Sequence, residues 1–266
     1  MLQDIFYTIN ELFDRRRGLI PPKEKIFVGS GNFTKIGYRF LRHFIRLGEL
    51  KPNEKILDVG CGIGRISVPL TTYLSEEGIY EGFDIVADGI SWCKEKIAVK
   101  YPNFHFHLID VYNKHYNPKG RCKASEYRFP YNDESFDFIS LVSVFTHMLP
   151  QDTENYLAEI ARVLKKQGRC LITWFLLNIE SLKQIDKGLS SLDFKYEIKN
   201  SCTINKDDHE AAVAYDEEFV RMLYRKYKLT MKGPIHYGSW CRRRKCLSYQ
   251  DIIMAIKGSG GFGIPS

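Results

Sequence analysis

The sequence predicts an α/β fold: a mostly parallel sheet with helices on both faces. Three observations point there. From Lys55 onward, short apolar runs alternate with stretches of helical periodicity. The runs are nearly continuous in apolar character, as strands covered on both sides are. The first of them ends in a glycine-rich turn, and the second and third end in an acid. A length of 266 residues suits one large domain or a domain with a modest insertion.

Taken in order, residues 1–22 read as a basic arm, and Thr34–Leu47 as an amphipathic helix carrying Ile36, Phe40, Leu41, Phe44 and Leu47 on one face. The strands are expected at 56–59, 79–84, 104–110, 136–142 and 170–175. Between the last two, Tyr156, Leu157, Ile160, Ala161, Val163 and Leu164 form a stripe of helical period. Asp152 or Thr153 is placed to cap that helix, Lys165 and Lys166 suit its last turn, and Gly168 suits its exit. Residues 178–213 are polar, with no long periodic segment, and read as an insertion over the C-terminal edge of the sheet. Asp216–Tyr227 reads as a helix, followed by strands at 229–235 and 249–256 and a glycine-rich tail. The resulting division is an N-terminal arm and helical cap (1–50), a core (51–177), an insertion over the substrate side (178–213), a helix with an antiparallel strand pair (214–257) and a tail (258–266).

Composition narrows the class. With 44% hydrophobic and 27% charged residues the chain is an ordinary globular one, which excludes disorder and collagen-like structure. The longest uncharged stretches, 138–148 and 170–178, are too short to span a membrane. The first residues lack a basic segment followed by an apolar core, so no signal peptide is expected. Seven scattered cysteines, without paired metal spacing, suit reduced thiols in a cytoplasmic protein. The net charge of +7 is concentrated: residues 219–257 hold ten Lys or Arg against the single acid Asp251.

The most informative segment is Asp58-Val59-Gly60-Cys61-Gly62-Ile63-Gly64-Arg65, where the first strand meets the first crossover helix. Glycines in such a turn let backbone N–H groups approach a ligand. A dinucleotide site wants G-x-G-x-x-G; here the third glycine comes one residue early and Arg65 fills the next place. Asp84 closes the second strand and Asp110 the third. Downstream come Phe129–Asp137 leading into the fourth strand, Ser143–Met148 after it, and Ala158–Lys165 with Gly168-Arg169 before the fifth.

In this order the motifs resemble the class I S-adenosylmethionine-dependent methyltransferases, over roughly residues 54–177. The resemblance implies a Rossmann-like, mostly parallel seven-stranded sheet and S-adenosylmethionine as cofactor, with S-adenosylhomocysteine as product. It implies that Asp58, Gly60, Cys61, Gly62 and Gly64 form the cofactor loop. Asp84, with Ile85 beside it, would hold the ribose; Asp110 and Val111 would lie at the adenine, and Ser143 would line the site. Fifteen residues, Val111–Ser125, separate Asp110 from Glu126, so either acid can supply the adenine contact. The physics agrees: backbone amides suit a carboxylate, and a strand-tip acid accepts two ribose hydroxyls.

Other features carry weaker signals. Residues 27–33, with Ser30 and Asn32, read either as a plain loop or as a lid over the cofactor. His147, after the fourth strand, is the candidate general base, against a helix-start histidine that only packs. Cys61 reads as a packing residue, since no base neighbours it in sequence. No metal site is expected; His105 and His107 share one strand face but lack an evident third ligand. Arg242, Arg243, Arg244 and Lys245 read as a basic hairpin tip, solvated or attracting an anion, with Tyr237 and Trp240 able to stack on a base.

The expectation is methyl transfer to an oxygen, nitrogen or carbon nucleophile of a small-molecule acceptor, with nucleic acid not favoured and the oligomeric state open. The alternatives are an RNA or protein methyltransferase using the basic patch, a non-catalytic S-adenosylmethionine-binding partner protein, and a nicotinamide oxidoreductase, which the glycine spacing disfavours.

Overall fold

A computed structural model describes residues 2–29 and 31–258. The chain divides into two compact units, residues 1–121 and 122–266. Seven strands belong to one mostly parallel sheet, and four shorter ones form a second.

The first unit runs α1 (Leu2–Arg16), α2 (Phe33–Arg46), β1 (Lys55–Val59), α3 (Ser67–Leu70), β2 (Ile79–Asp84), α4 (Ala87–Cys93) and β3 (Phe104–Leu108). The expected basic arm is thus a helix, ending at Arg16 just before the arginine run gives way to Gly18 in left-handed backbone (φ 66°). In α2 the Asn32 side chain caps the first turn, accepting from the Lys35 N–H at 2.7 Å. Its apolar face buries Phe33, Tyr38, Phe40, Leu41 and Phe44. β1 pairs in parallel with β2, and β2 with β3. Every residue of β1 after Lys55 is buried, as a strand covered on both faces requires. On the β2–β3 face the Glu81 carboxylate lies between His105 Nδ1 at 3.1 Å and His107 Nε2 at 2.8 Å, so the two histidines share one acid.

The second unit runs β4 (Phe136–Leu141), α5 (Pro150–Val163), β5 (Leu164–Trp174), β6 (Leu176–Leu177), α6 (Ile179–Asp186), β7 (Tyr196–Ile198), β8 (Ser201–Thr203), β9 (Val213–Asp216), α7 (Glu217–Lys226), β10 (Leu229–Met231) and β11 (Asp251–Lys257). β4 and β5 are parallel, while β11 lies antiparallel between β5 and β10. The helical stripe expected between the fourth and fifth strands is α5, but its ends differ. Leu149 is the cap residue and Pro150 opens the helix with its pre-set φ, so neither Asp152 nor Thr153 caps it. The helix passes directly into β5 at Leu164, and Lys165–Gly168 belong to that strand. The polar stretch 178–213 holds α6, β7, β8 and the first residue of β9; the second sheet is ordered β6-β9-β8-β7. Phe194 of that stretch joins Phe175, Leu177, Ala214 and Trp240 in one core cluster, and the strands are too short to register as a period.

The expected basic hairpin tip is only partly one. Arg243 is 6% exposed at its side chain and pairs with Glu180 at 2.7 Å and the fully buried Asp251 at 3.3 Å. Its guanidinium lies 4.7 Å over the Tyr237 ring. Trp240 is fully buried and donates Nε1–H to Asp251 at 2.9 Å, so it is closed to any base. The tail from Ser259 on and Ser30 lie outside the described residues.

Candidate active site

At the end of β1 the chain turns through three glycines in left-handed backbone: Gly60 (φ 76°), Gly62 (φ 56°) and Gly64 (φ 85°). Only glycine adopts three such angles cheaply. Space forbids side chains too. A Cβ on Gly62 would stand 2.6 Å from Val28 Cγ1, and one on Gly64 would stand 2.8 Å from Ile97 Cδ1.

The turn is fastened to the tip of β2. The N–H groups of Gly60 and Cys61 both point to the Phe83 carbonyl at 3.0 Å. Asp84 Oδ2 accepts from the Gly62 N–H at 2.7 Å, while Oδ1 accepts from the Val86 N–H at 2.9 Å. Burial pushes the Asp84 carboxyl up; the N–H groups of Val86, Gly62 and Ile85 pull it back. Each oxygen keeps a lone-pair direction beyond these bonds. Under the loop, Asp58 is buried and accepts from the Tyr80 hydroxyl at 2.8 Å. Burial, and then Cys93, push the Cys61 thiol well above its ordinary range, which makes it a packing group rather than a nucleophile.

Asp58, Gly60, Cys61, Gly62, Gly64, Asp84 and Ile85 therefore form one constellation. The end of β3 joins it, because the Ile109 N–H donates to the Asp84 carbonyl at 3.0 Å. Val111 is buried. Asp110 is half exposed and paired with Arg121, whose guanidinium holds its carboxyl below the usual range. The Val111–Arg121 stretch is an ordered loop: Asn113 Oδ1 accepts from the N–H groups of His115 and Tyr116, each at 3.0 Å, and Asn113 and Asn117 exchange backbone bonds. Glu126 pairs instead with Lys123 at 3.2 Å. Asn32 is spent on its helix cap and lies exposed. Residues 27–29 fold against the glycine turn: besides the Val28 contact, Phe27 Cζ is 3.0 Å from where a Gly89 Cβ would stand.

In the second unit the loop after β4 is held by distant residues. Ser143 has left-handed backbone (φ 61°); its N–H donates to Thr173 Oγ1 at 2.8 Å and its hydroxyl donates to Gln250 Oε1 at 2.9 Å. His147 Nδ1 is 3.0 Å from the Glu210 carbonyl. A carbonyl only accepts, so Nδ1 carries a proton. The buried Tyr215 hydroxyl, on β9, sits 3.0 Å from the Phe145 carbonyl and 2.7 Å from Thr153 Oγ1, and also reaches the Met148 carbonyl. Tyr215, Gln250, Thr173 and Glu210 carry no sequence signal that ties them to this loop.

These geometries suit an S-adenosyl nucleoside. A turn stripped of side chains accommodates a close-lying amino-acid end, and a buried strand-tip acid suits ribose hydroxyls. The comparisons agree. Residues 50–227 match the family described as methyltransferase domain. The chain belongs to that family, and its sheet has the Rossmann-like order of the class I S-adenosylmethionine-dependent methyltransferase fold. Phosphoethanolamine N-methyltransferase 1 of Arabidopsis thaliana is 27% identical over 150 residues, covering 56% of this chain and 26% of the relative. The ubiquinone/menaquinone biosynthesis C-methyltransferase UbiE of Xanthomonas oryzae is 26% identical over 134 residues, covering 50% of this chain and 47% of the relative. The chain thus spans from a quarter to about half of these relatives' length. Among solved structures, the PH0226 protein from Pyrococcus horikoshii superposes with a TM-score of 0.59 at 16% identity, covering 88% of this chain and 94% of that one. This last likeness is one of fold.

Proposed function

We propose that the chain methylates an oxygen, nitrogen or carbon nucleophile on a small-molecule acceptor. The observation that carries the proposal is the joined turn and acid, in which Gly62 N–H and Asp84 Oδ2 meet at 2.7 Å. The names of the two curated relatives, one acting on phosphoethanolamine and one in quinone biosynthesis, support a small acceptor.

Bound S-adenosylmethionine would supply a methyl group on a sulfonium, open to in-line displacement. The chain's own residues would do the rest. The bare backbone of residues 60–64 admits the amino-acid end, with Cys61 packing beneath. Asp84, pinned by two N–H groups, accepts the ribose hydroxyls, with Ile85 beside it. Val111 packs at the base, where Asp110 is the nearer acid in chain order. Ser143 and His147 belong to the acceptor side, and Asn32 fixes the start of α2. His147 holds its proton on Nδ1 against the Glu210 carbonyl, so Nε2 is the atom that would take a proton from the acceptor. Alignment of the nucleophile with the methyl would supply most of the acceleration, up to ~7–11 kcal/mol in favourable cases. No helix among the described residues is long and apolar enough to cross a membrane. All seven cysteines are free thiols, which supports a reducing, cytoplasmic setting.

Calorimetry with S-adenosylhomocysteine and with NAD tests the cofactor, and turnover on a panel of small amines, phenols and quinols tests the acceptor. The expected result is binding of the nucleoside alone and transfer to one small class. Binding of NAD, or transfer to tRNA or rRNA fragments in place of every small acceptor, would overturn it.

A further inference from the structure

Arg65 follows the third glycine of the turn, and its surroundings are unusual for an arginine. Nη2 donates to the Gly29 carbonyl at 3.1 Å, and the guanidinium carbon lies 5.8 Å from the Phe33 ring centroid. Nε is buried with no hydrogen-bond partner, and among the described residues no carboxylate pairs with this side chain. Burial alone pushes its pKa down to about 10. A guanidinium has five donors and keeps its charge at neutral pH. Holding it partly buried without an anion is costly, and such costs gather where a charged ligand is received.

The charges around the turn indicate which ligand. Two buried carboxylates adjoin it, Asp58 at 1% and Asp84 at 9% exposure. Both would repel an anion lying on the turn, and backbone N–H groups carry only partial charges against them. S-adenosylmethionine has one anionic group, the carboxylate of its amino-acid end. Arg65, next in the chain after Gly64, is a cation adjoining the turn.

We infer that Arg65 is a specificity-determining residue of the cofactor site: its guanidinium takes that carboxylate and, through the Gly29 carbonyl, holds residues 27–29 over the glycine turn. Gly29 (φ 50°) and Gly31 (φ 111°) give the chain the bends this cover needs. The inference rests on the reading of residues 58–64 as the S-adenosylmethionine loop.

The test compares S-adenosylhomocysteine with its decarboxylated analogue, S-adenosyl-3-thiopropylamine, which keeps the amine and loses only the carboxylate. Dissociation constants are measured by calorimetry on the native protein, Arg65→Lys and Arg65→Gln, with thermal melts to confirm folding. The native protein should bind the analogue about 10- to 100-fold more weakly, the range of a hydrogen bond to a charged group. Arg65→Gln should bind the two ligands alike, by losing affinity for S-adenosylhomocysteine and not for the analogue. Arg65→Lys should fall between. Equal binding of both ligands by the native protein, or an undiminished ratio in Arg65→Gln, would overturn the inference. If Arg65→Gln does not fold, the native ratio set against that of Arg65→Lys decides, and an unchanged ratio counts against Arg65. A native protein that binds S-adenosylhomocysteine at neither ratio nor concentration would remove the reading of the loop itself, and the inference with it.

Discussion

The glycine turn and the loop after β4 are held in place by opposite means. Gly62 and Asp84, 22 residues apart, sit at the tips of neighbouring parallel strands, so one crossover brings them together. The Ser143–Met148 loop borrows its anchors from Thr173, Tyr215, Glu210 and Gln250, which lie 30 to 107 residues away. A site built from adjacent strand ends is written compactly in sequence. A site hung on an inserted sheet and a far strand is not.

The comparison can be broken from either side. The largest effect is expected at the turn. Gly62→Val adds a side chain where Val28 already stands and forces a β-branched residue to a φ of 56°. S-adenosylhomocysteine binding should become undetectable by calorimetry, with a stability cost of about 1–3 kcal/mol by thermal melt. Ordinary affinity in this variant would mean that no ligand approaches the turn closely. Next comes His147→Gln, which should lower turnover by about 10²–10⁴-fold if the acceptor must shed a proton. Affinity for S-adenosylhomocysteine should stay the same, and unchanged turnover would return His147 to a packing role. The smallest effect is expected at Tyr215→Phe. Its hydroxyl serves Thr153 and a loop carbonyl, and its loss should cost about 1–3 kcal/mol of stability. Turnover should fall several-fold at unchanged cofactor affinity. A loss of cofactor affinity instead would show that Tyr215 does not act through the loop after β4 alone.

The uneven legibility of the sequence has the same origin. The Asp58–Gly64 spacing and Asp84 could be read because each depends on strand-tip geometry within one crossover. The strand runs could be read because burial on both faces leaves them apolar throughout. The second sheet escaped because its strands of two to four residues are too short to alternate visibly. Within the basic cluster Arg242, Arg244 and Lys245 are exposed, and only Arg243 departs, because a charge count does not show that Asp251 is buried beside it. The helix over Leu2–Arg16 was read as a basic arm from the arginine run at its end, although Asp4, Glu11 and Asp14 balance that charge. At the end of α5 the expected glycine exit gave way to a direct entry into β5, since Leu164 adopts extended backbone with no turn between.

Gly37, in the middle of α2, has one further consequence. A Cβ there would lie 2.2 Å from the Arg65 carbonyl oxygen, so the helix axis runs almost against the exit of the glycine turn. The residues ahead of β1 are thus a wall that the turn leans on, and not an ornament to a self-sufficient nucleotide fold. A chain shortened to begin at β1 would keep every motif that names the family and lose the surface on which its central bend rests.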